Sequence, residues 1–107
     1  MTDVIFCRDG AFWTMQATGH ATGSPEVCAA VSTLVQTLET ALDVIGADER
    51  QVDIEDGWAE ITARGLGVTM VYECIRASFM RLAAGAPEYV TVQDVDPADL
   101  TEEAEAT

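Results

Sequence analysis

The chain has 107 residues, 49% hydrophobic and 22% charged, enough for one domain with a buried core, which argues against wholesale disorder. Nineteen acidic side chains oppose five basic ones, for a formal net charge of −14. The basic residues are all arginines (Arg8, Arg50, Arg64, Arg76, Arg81) and are scattered, which argues against direct binding of DNA or RNA, since that affinity needs clustered cations.

The first predicted strand is Val4-Ile5-Phe6-Cys7-Arg8, and Asp9-Gly10 after it is a strong hairpin signal of the type I′ kind. The return strand spans residues 12–18, where Trp13, Met15 and Ala17 alternate with Phe12, Thr14, Gln16 and Thr18. Gly19-His20-Ala21-Thr22-Gly23 breaks the alternation and is expected to form a flexible loop, with Thr22 and Gly23 at its centre. Ser24-Pro25-Glu26 then opens a helix: Ser suits the cap, Pro the first helical position, and Glu the positive end of the dipole. That helix is expected to run to about Ile45, with Gly46 closing it and an apolar stripe of Val27, Val31, Leu34, Leu38, Leu42 and Ile45.

After a loop over residues 47–51, Val52-Asp53-Ile54-Glu55 and residues 58–63 flank a second hairpin signal, Asp56-Gly57. A second helix is expected over residues 68–84, ended by Gly85, with a stripe of Val68, Val71, Ile75, Phe79 and Leu82. A last short strand covers residues 89–93. From Asp94 on, acids and small residues dominate (Asp96, Asp99, Glu102, Glu103, Glu105), so a disordered acidic tail is expected.

The order ββαββαβ predicts an α+β two-layer sandwich: a mixed sheet of about five strands with both helices on one face. Its other face must meet water or another subunit. The expected organisation is a single domain over residues 1–95 and a tail over residues 96–107. No apolar run is expected to approach the ~18 residues of a membrane span, and Met1-Thr2-Asp3-Val4 lacks the basic-then-apolar order of a signal peptide. The expectation is a cytoplasmic protein without a membrane partner, with its three cysteines as free thiols. Its acidity serves solubility or attracts a basic protein segment.

Two reactive side chains stand out, His20, the single histidine, and Cys28. Cys28 falls in the first turns of the first helix, about 85° from the centre of its apolar stripe, on the border with the polar face. A thiol there feels the positive end of the helix, which favours the nucleophilic thiolate, and a nearby imidazole adds a general acid for a leaving amine. Amides of the first turn are candidate oxyanion donors. Ser32, one turn beyond Cys28, shares its face and is within reach of the thiol or its carbonyl. A Cys and a His eight positions apart also occur by chance, and Cys is commonly a small buried hydrophobe. Cys7 in the first strand and Cys74 in mid-helix read that way. One histidine and no paired cysteines fall short of a tetrahedral metal site, so neither metal nor cofactor is expected.

Gly19-His20-Ala21, followed by Cys28-Ala29-Ala30-Val31-Ser32 at the opening of a helix, resembles the ribosomal-processing cysteine protease family Prp (YsxB-like). The early Asp-Gly hairpin, the Asp56-Gly57 turn and Pro87-Glu88-Tyr89-Val90 fall where that family has comparable features. The resemblance implies a catalytic dyad of Cys28 as nucleophile and His20 as its partner, with Gly19 and Ser32 in support. It also implies a compact homodimeric α/β domain, and a task of trimming an N-terminal extension from a ribosomal or phage structural protein. The family carries a longer glycine-rich loop and an Asp three residues before the Cys, whereas this chain has only residues 21–27 and Pro25 there.

Two other classes stay open. One is a non-catalytic dimeric binding module on the same fold, using apolar outer-face residues such as Phe12 and Trp58. The other is an acidic mimic of nucleic acid that occupies a basic protein.

Overall fold

A computed structural model describes residues 1–99. It forms seven elements: β1 (Thr2–Asp9), β2 (Phe12–Thr18), α1 (Pro25–Val44), β3 (Glu49–Glu55), β4 (Trp58–Arg64), α2 (Val68–Gly85) and β5 (Val90–Val95). The strands make one sheet in the order β3-β4-β2-β1-β5, with β1 and β5 parallel and every other pair antiparallel. The α+β architecture and element order are those expected.

Register explains the core. Val4 pairs with Ala17 and Val92, Phe6 with Met15, Met15 with Ile61, and Ala17 with Ala59. The apolar members of each strand therefore stand on one face, and a one-residue slip would turn them all to water. That face meets Val35, Leu38 and Leu42 of α1 and Val68, Tyr72, Ile75 and Phe79 of α2, all buried. The two helices pack on each other; α2 lies towards β5 and β2, and α1 towards β4. By length and composition alone α1, at a mean hydropathy of 1.3, would pass for a membrane-crossing helix. Polar residues interrupt it, and Val35, Leu38 and Leu42 are buried in the core.

The opposite face is polar, as one side of an antiparallel sheet commonly is. Thr14 and Thr62 share a hydrogen bond at 3.0 Å, Gln16 donates to Glu60 at 2.5 Å, and Thr91 donates to Asp3 at 2.5 Å. Phe12 is partly exposed there with the Arg64 guanidinium 5.5 Å from its ring centroid, and Trp58 is half-buried.

Several details differ from the sequence expectations. Both hairpins form, but neither has positive φ at both central residues. Asp9 pairs with Phe12, so Gly10 and Ala11 make the first turn, and Gly10 alone takes positive φ (61°). In the second, Asp56 stays out of the left-handed region and Gly57 carries it (73°). A single glycine suffices, and an L side chain avoids that cost. Strand β3 begins at Glu49 rather than Val52, because the Glu49–Arg64 pairing extends the ladder through residues with no alternation of their own. Strand β5 continues to Val95, opposite Cys7, and there the Arg76 guanidinium grips Asp94 with two hydrogen bonds at 2.8 and 2.6 Å. Finally, Tyr72 rather than Val71 fills the centre of the α2 stripe: it is fully buried, stacks on Trp13 with ring centroids 5.6 Å apart, and donates its hydroxyl to the Ile61 carbonyl at 2.8 Å. Burial pushes that phenol well above its ordinary range. Of the disordered acidic tail expected over residues 96–107, residues 97–99 are instead helical, with the Asp99 N–H donated to the Asp96 carbonyl at 3.0 Å, and residues 100–107 lie outside the described residues.

Candidate active site

Helix α1 starts as its sequence dictates. Ser24 is the N-cap, its hydroxyl accepting the Val27 N–H at 3.3 Å, and Pro25 occupies the first helical position. Cys28 follows in the first turn, half-buried, with its own N–H donated to the Ser24 carbonyl at 3.0 Å. This narrows the oxyanion donors expected from the first turn. Val27 and Cys28 amides are already bound to Ser24 and proline has none, so among the described residues the Glu26 amide alone lacks an acceptor there.

His20 is fixed from two sides. The register Thr18–Trp58 brings the end of β2 beside the β3–β4 turn, where the Gly19 N–H donates to the Gly57 carbonyl at 2.9 Å. On the other side the amino group of Met1 donates to the His20 carbonyl at 2.7 Å. Gly19 is required at its position: φ is +91°, and a Cβ would lie 2.3 Å from the Met1 carbonyl oxygen. Ala21 is buried and accepts the Ser24 N–H at 3.1 Å, whereas Thr22 and Gly23, the expected flexible pair, are exposed at the loop tip.

His20 and Cys28 meet in one cavity of about 500 Å³, between α1 and the β3–β4 hairpin. Val31, Val35, Ile54, Trp58 and Ala59 give it apolar walls, while Glu39, Glu55 and Asp56 place carboxylates around it, with no arginine in the lining. Ser32 and Gly19 line it too. Of the six expected site residues, His20, Cys28, Gly19 and Ser32 are thus in one place, and Thr22 and Gly23 lie outside the lining. The finer contacts are looser: among the described residues no hydrogen bond joins His20 to Cys28, or the Ser32 hydroxyl to the Cys28 thiol or carbonyl. The imidazole Nε2 instead lies 3.5 Å from Asp56 Oδ1. Asp56 and the apolar wall from β3 and β4 were missed in the sequence reading, and the Asp56-Gly57 hairpin signal gave the fold of that turn without its neighbour.

The other two thiols are elsewhere. Cys7 is buried in β1, where burial first, then Asp9 and Asp96, raise its thiol. Cys74 is exposed on α2. Among the described residues no group of three or more His, Cys, Asp or Glu side chains is placed to hold a metal ion.

Comparison with known proteins adds a family. A family model described as cysteine protease Prp matches residues 1–91. The crystal structure of SMU.848 from Streptococcus mutans is 30% identical, with a TM-score of 0.69 over 90% of this chain and 95% of that one. An essential ribosomal processing protease Prp from S. aureus, solved with a covalently linked product peptide, is 15% identical, with a TM-score of 0.78 over 89% of this chain and 100% of that one. The same organism's Prp with a substrate peptide is 13% identical, with a TM-score of 0.67 over the same shares, 89% and 100%. At those identities the two complexes show a common fold. No curated protein matches the chain.

Proposed function

This chain belongs to the cysteine protease Prp family, and on that premise we propose that Cys28 is its nucleophile and His20 its acid–base partner. The observation that carries the assignment is the single cavity holding both side chains, with Cys28 at the N-terminal end of α1. The Cys28 thiol gives its proton to His20, and the sulfur attacks the scissile carbonyl carbon. The positive end of α1 favours the negative charge on sulfur. As the tetrahedral intermediate collapses, the C–N bond breaks and His20 returns the proton to the departing amine. Water, deprotonated by His20, then hydrolyses the thioester and restores the thiol.

The substrate is a protein segment rather than a small molecule, and its class is an N-terminal extension of a ribosomal or phage structural protein. What supports this is the family and the likeness to a Prp described as a ribosomal processing protease. The carboxylates of Glu39 and Glu55 around an apolar floor suit a segment with an apolar side chain flanked by Lys or Arg. The protein acts in the cytoplasm as a homodimer, without nucleic acid, membrane or cofactor. Val52, 40% exposed beside the cavity, offers apolar surface that a second subunit would cover.

The deciding experiment incubates the protein with ribosomal-protein N-terminal extensions carrying basic and apolar residues, and reads cleavage by mass spectrometry. Parent protein cleaves; Cys28→Ala abolishes cleavage while circular dichroism stays unchanged. Cleavage that persists in Cys28→Ala removes Cys28 from the nucleophile's role.

A further inference from the structure

We propose that Asp56 is a positioning residue for His20: the β3–β4 turn holds Nε2 and leaves Nδ1 as the nitrogen that serves Cys28. The proposal rests on the peptidase reading above and goes beyond it by assigning each ring nitrogen a task.

The geometry comes from where the sheet sets the His20 backbone and from what lies around Nε2. The β2–β4 register sets His20 beside residues 56–57, and the Gly19-to-Gly57 backbone bond at 2.9 Å fixes the spacing. Asp56 Oδ1 then stands 3.5 Å from Nε2. Gly57 leaves room for the same edge of the ring: a Cβ there would sit 2.9 Å from Nε2, 3.4 Å from Cδ2 and 3.7 Å from Cε1. The edge bearing Nε2 therefore rests against a position with no side chain, while the carboxylate beside it faces that nitrogen.

Both partners face solvent, with 53% of the His20 and 99% of the Asp56 side chain exposed, so the pair adds little to stability. Its effect is on which nitrogen is free. A neutral imidazole carries one N–H, and the partner of one nitrogen decides the tautomer. With an acidic acceptor at Nε2, the proton stays on Nε2 and the Nδ1 lone pair is available. When the Cys28 S–H bond breaks, an Nδ1–H bond forms. The product is a thiolate and an imidazolium that keeps its Nε2–H, with Asp56 Oδ1 3.5 Å from that nitrogen. A ring held the other way would present a donor to the thiol and accept nothing.

His20 is the single histidine, so a long-range proton–nitrogen NMR spectrum of the whole chain reads its tautomer without assignment ambiguity. Read on the neutral ring, the parent is expected in the Nε2–H form. Asp56→Ala moves it to a mixture, and kcat for peptide cleavage falls between about ten- and a hundred-fold, less than loss of the acid–base group itself. KM stays within about two-fold, as expected when an interaction acts on the chemical step. Asp56→Glu restores part of both. An Nδ1–H parent, or an Asp56→Ala protein with unchanged tautomer and kcat, overturns the assignment. A parent that cleaves no peptide overturns the peptidase reading alone, because the tautomer still decides the part played by Asp56.

Discussion

The two halves of the sheet bear on opposite problems. Under α2, the inner-facing residues Val4, Phe6 and Met15 are 0%, 2% and 0% exposed. At the β3 edge the same inner face continues through Val52 and Ile54, which are 40% and 48% exposed. Both stretches alternate, and both pair in register. They differ in what lies above them, because two helices are too few to roof five strands. The covered half supplies stability; the uncovered half leaves room between α1 and the β3–β4 hairpin, and the cavity with His20 and Cys28 is that room.

The contrast is testable by truncating one side chain in each half. Phe79 is fully buried against Phe6, with ring centroids 6.0 Å apart. Phe79→Ala is expected to cost about 3–5 kcal/mol in urea denaturation, enough to leave a domain of this size barely folded. Ile54→Ala, by contrast, should change stability by no more than about 0.5 kcal/mol, while raising KM for a cleaved peptide with kcat held. Equal stability losses from the two would end the distinction between a structural and a functional half.

Much of the division was legible in the sequence, and its limits are physical. Alternation at Trp13, Met15 and Ala17 and the Ser24-Pro25-Glu26 start are local signals, and local chemistry decided those elements. The extra residues of β3, Glu49 to Gln51, carry no such signal; they are strand because β4 offers them partners. Tyr72 lies at helical spacing from Val68, Ile75 and Phe79, but the expected stripe took Val71 instead; the Ile61 carbonyl is what lets the Tyr72 hydroxyl be buried. His20 and Cys28 were singled out by their chemistry, a lone histidine and a thiol at a helix N-terminus, and both line the same cavity. Asp56 was not, since its place beside His20 depends on the β2–β4 register, a long-range choice.

The smallest expected effect sharpens the same comparison at the far edge. Arg76 from α2 ties down β5, and its hydrogen bonds hold the Asp94 carboxyl below the usual carboxylate range. A carboxyl whose folded value is depressed stabilises the fold above its unfolded value, and that contribution is lost as pH falls through the folded one. Asp94→Asn should therefore be less stable than the parent near neutrality, by at most about 1 kcal/mol for so exposed a pair. The two denaturation curves should converge as pH drops below about 4. A gap that persists in acid would mean that the side chain acts by packing rather than by charge.

The chain's two tryptophans fall on either side of this divide. Trp13 is stacked on Tyr72 inside the covered half, and Trp58 stands in the wall of the cavity. The unlabelled protein thus carries two light-emitting reporters with separate assignments. Emission from the first follows loss of the core, and emission from the second follows arrival of a peptide, so occupancy and unfolding can be watched in one cuvette as distinct signals.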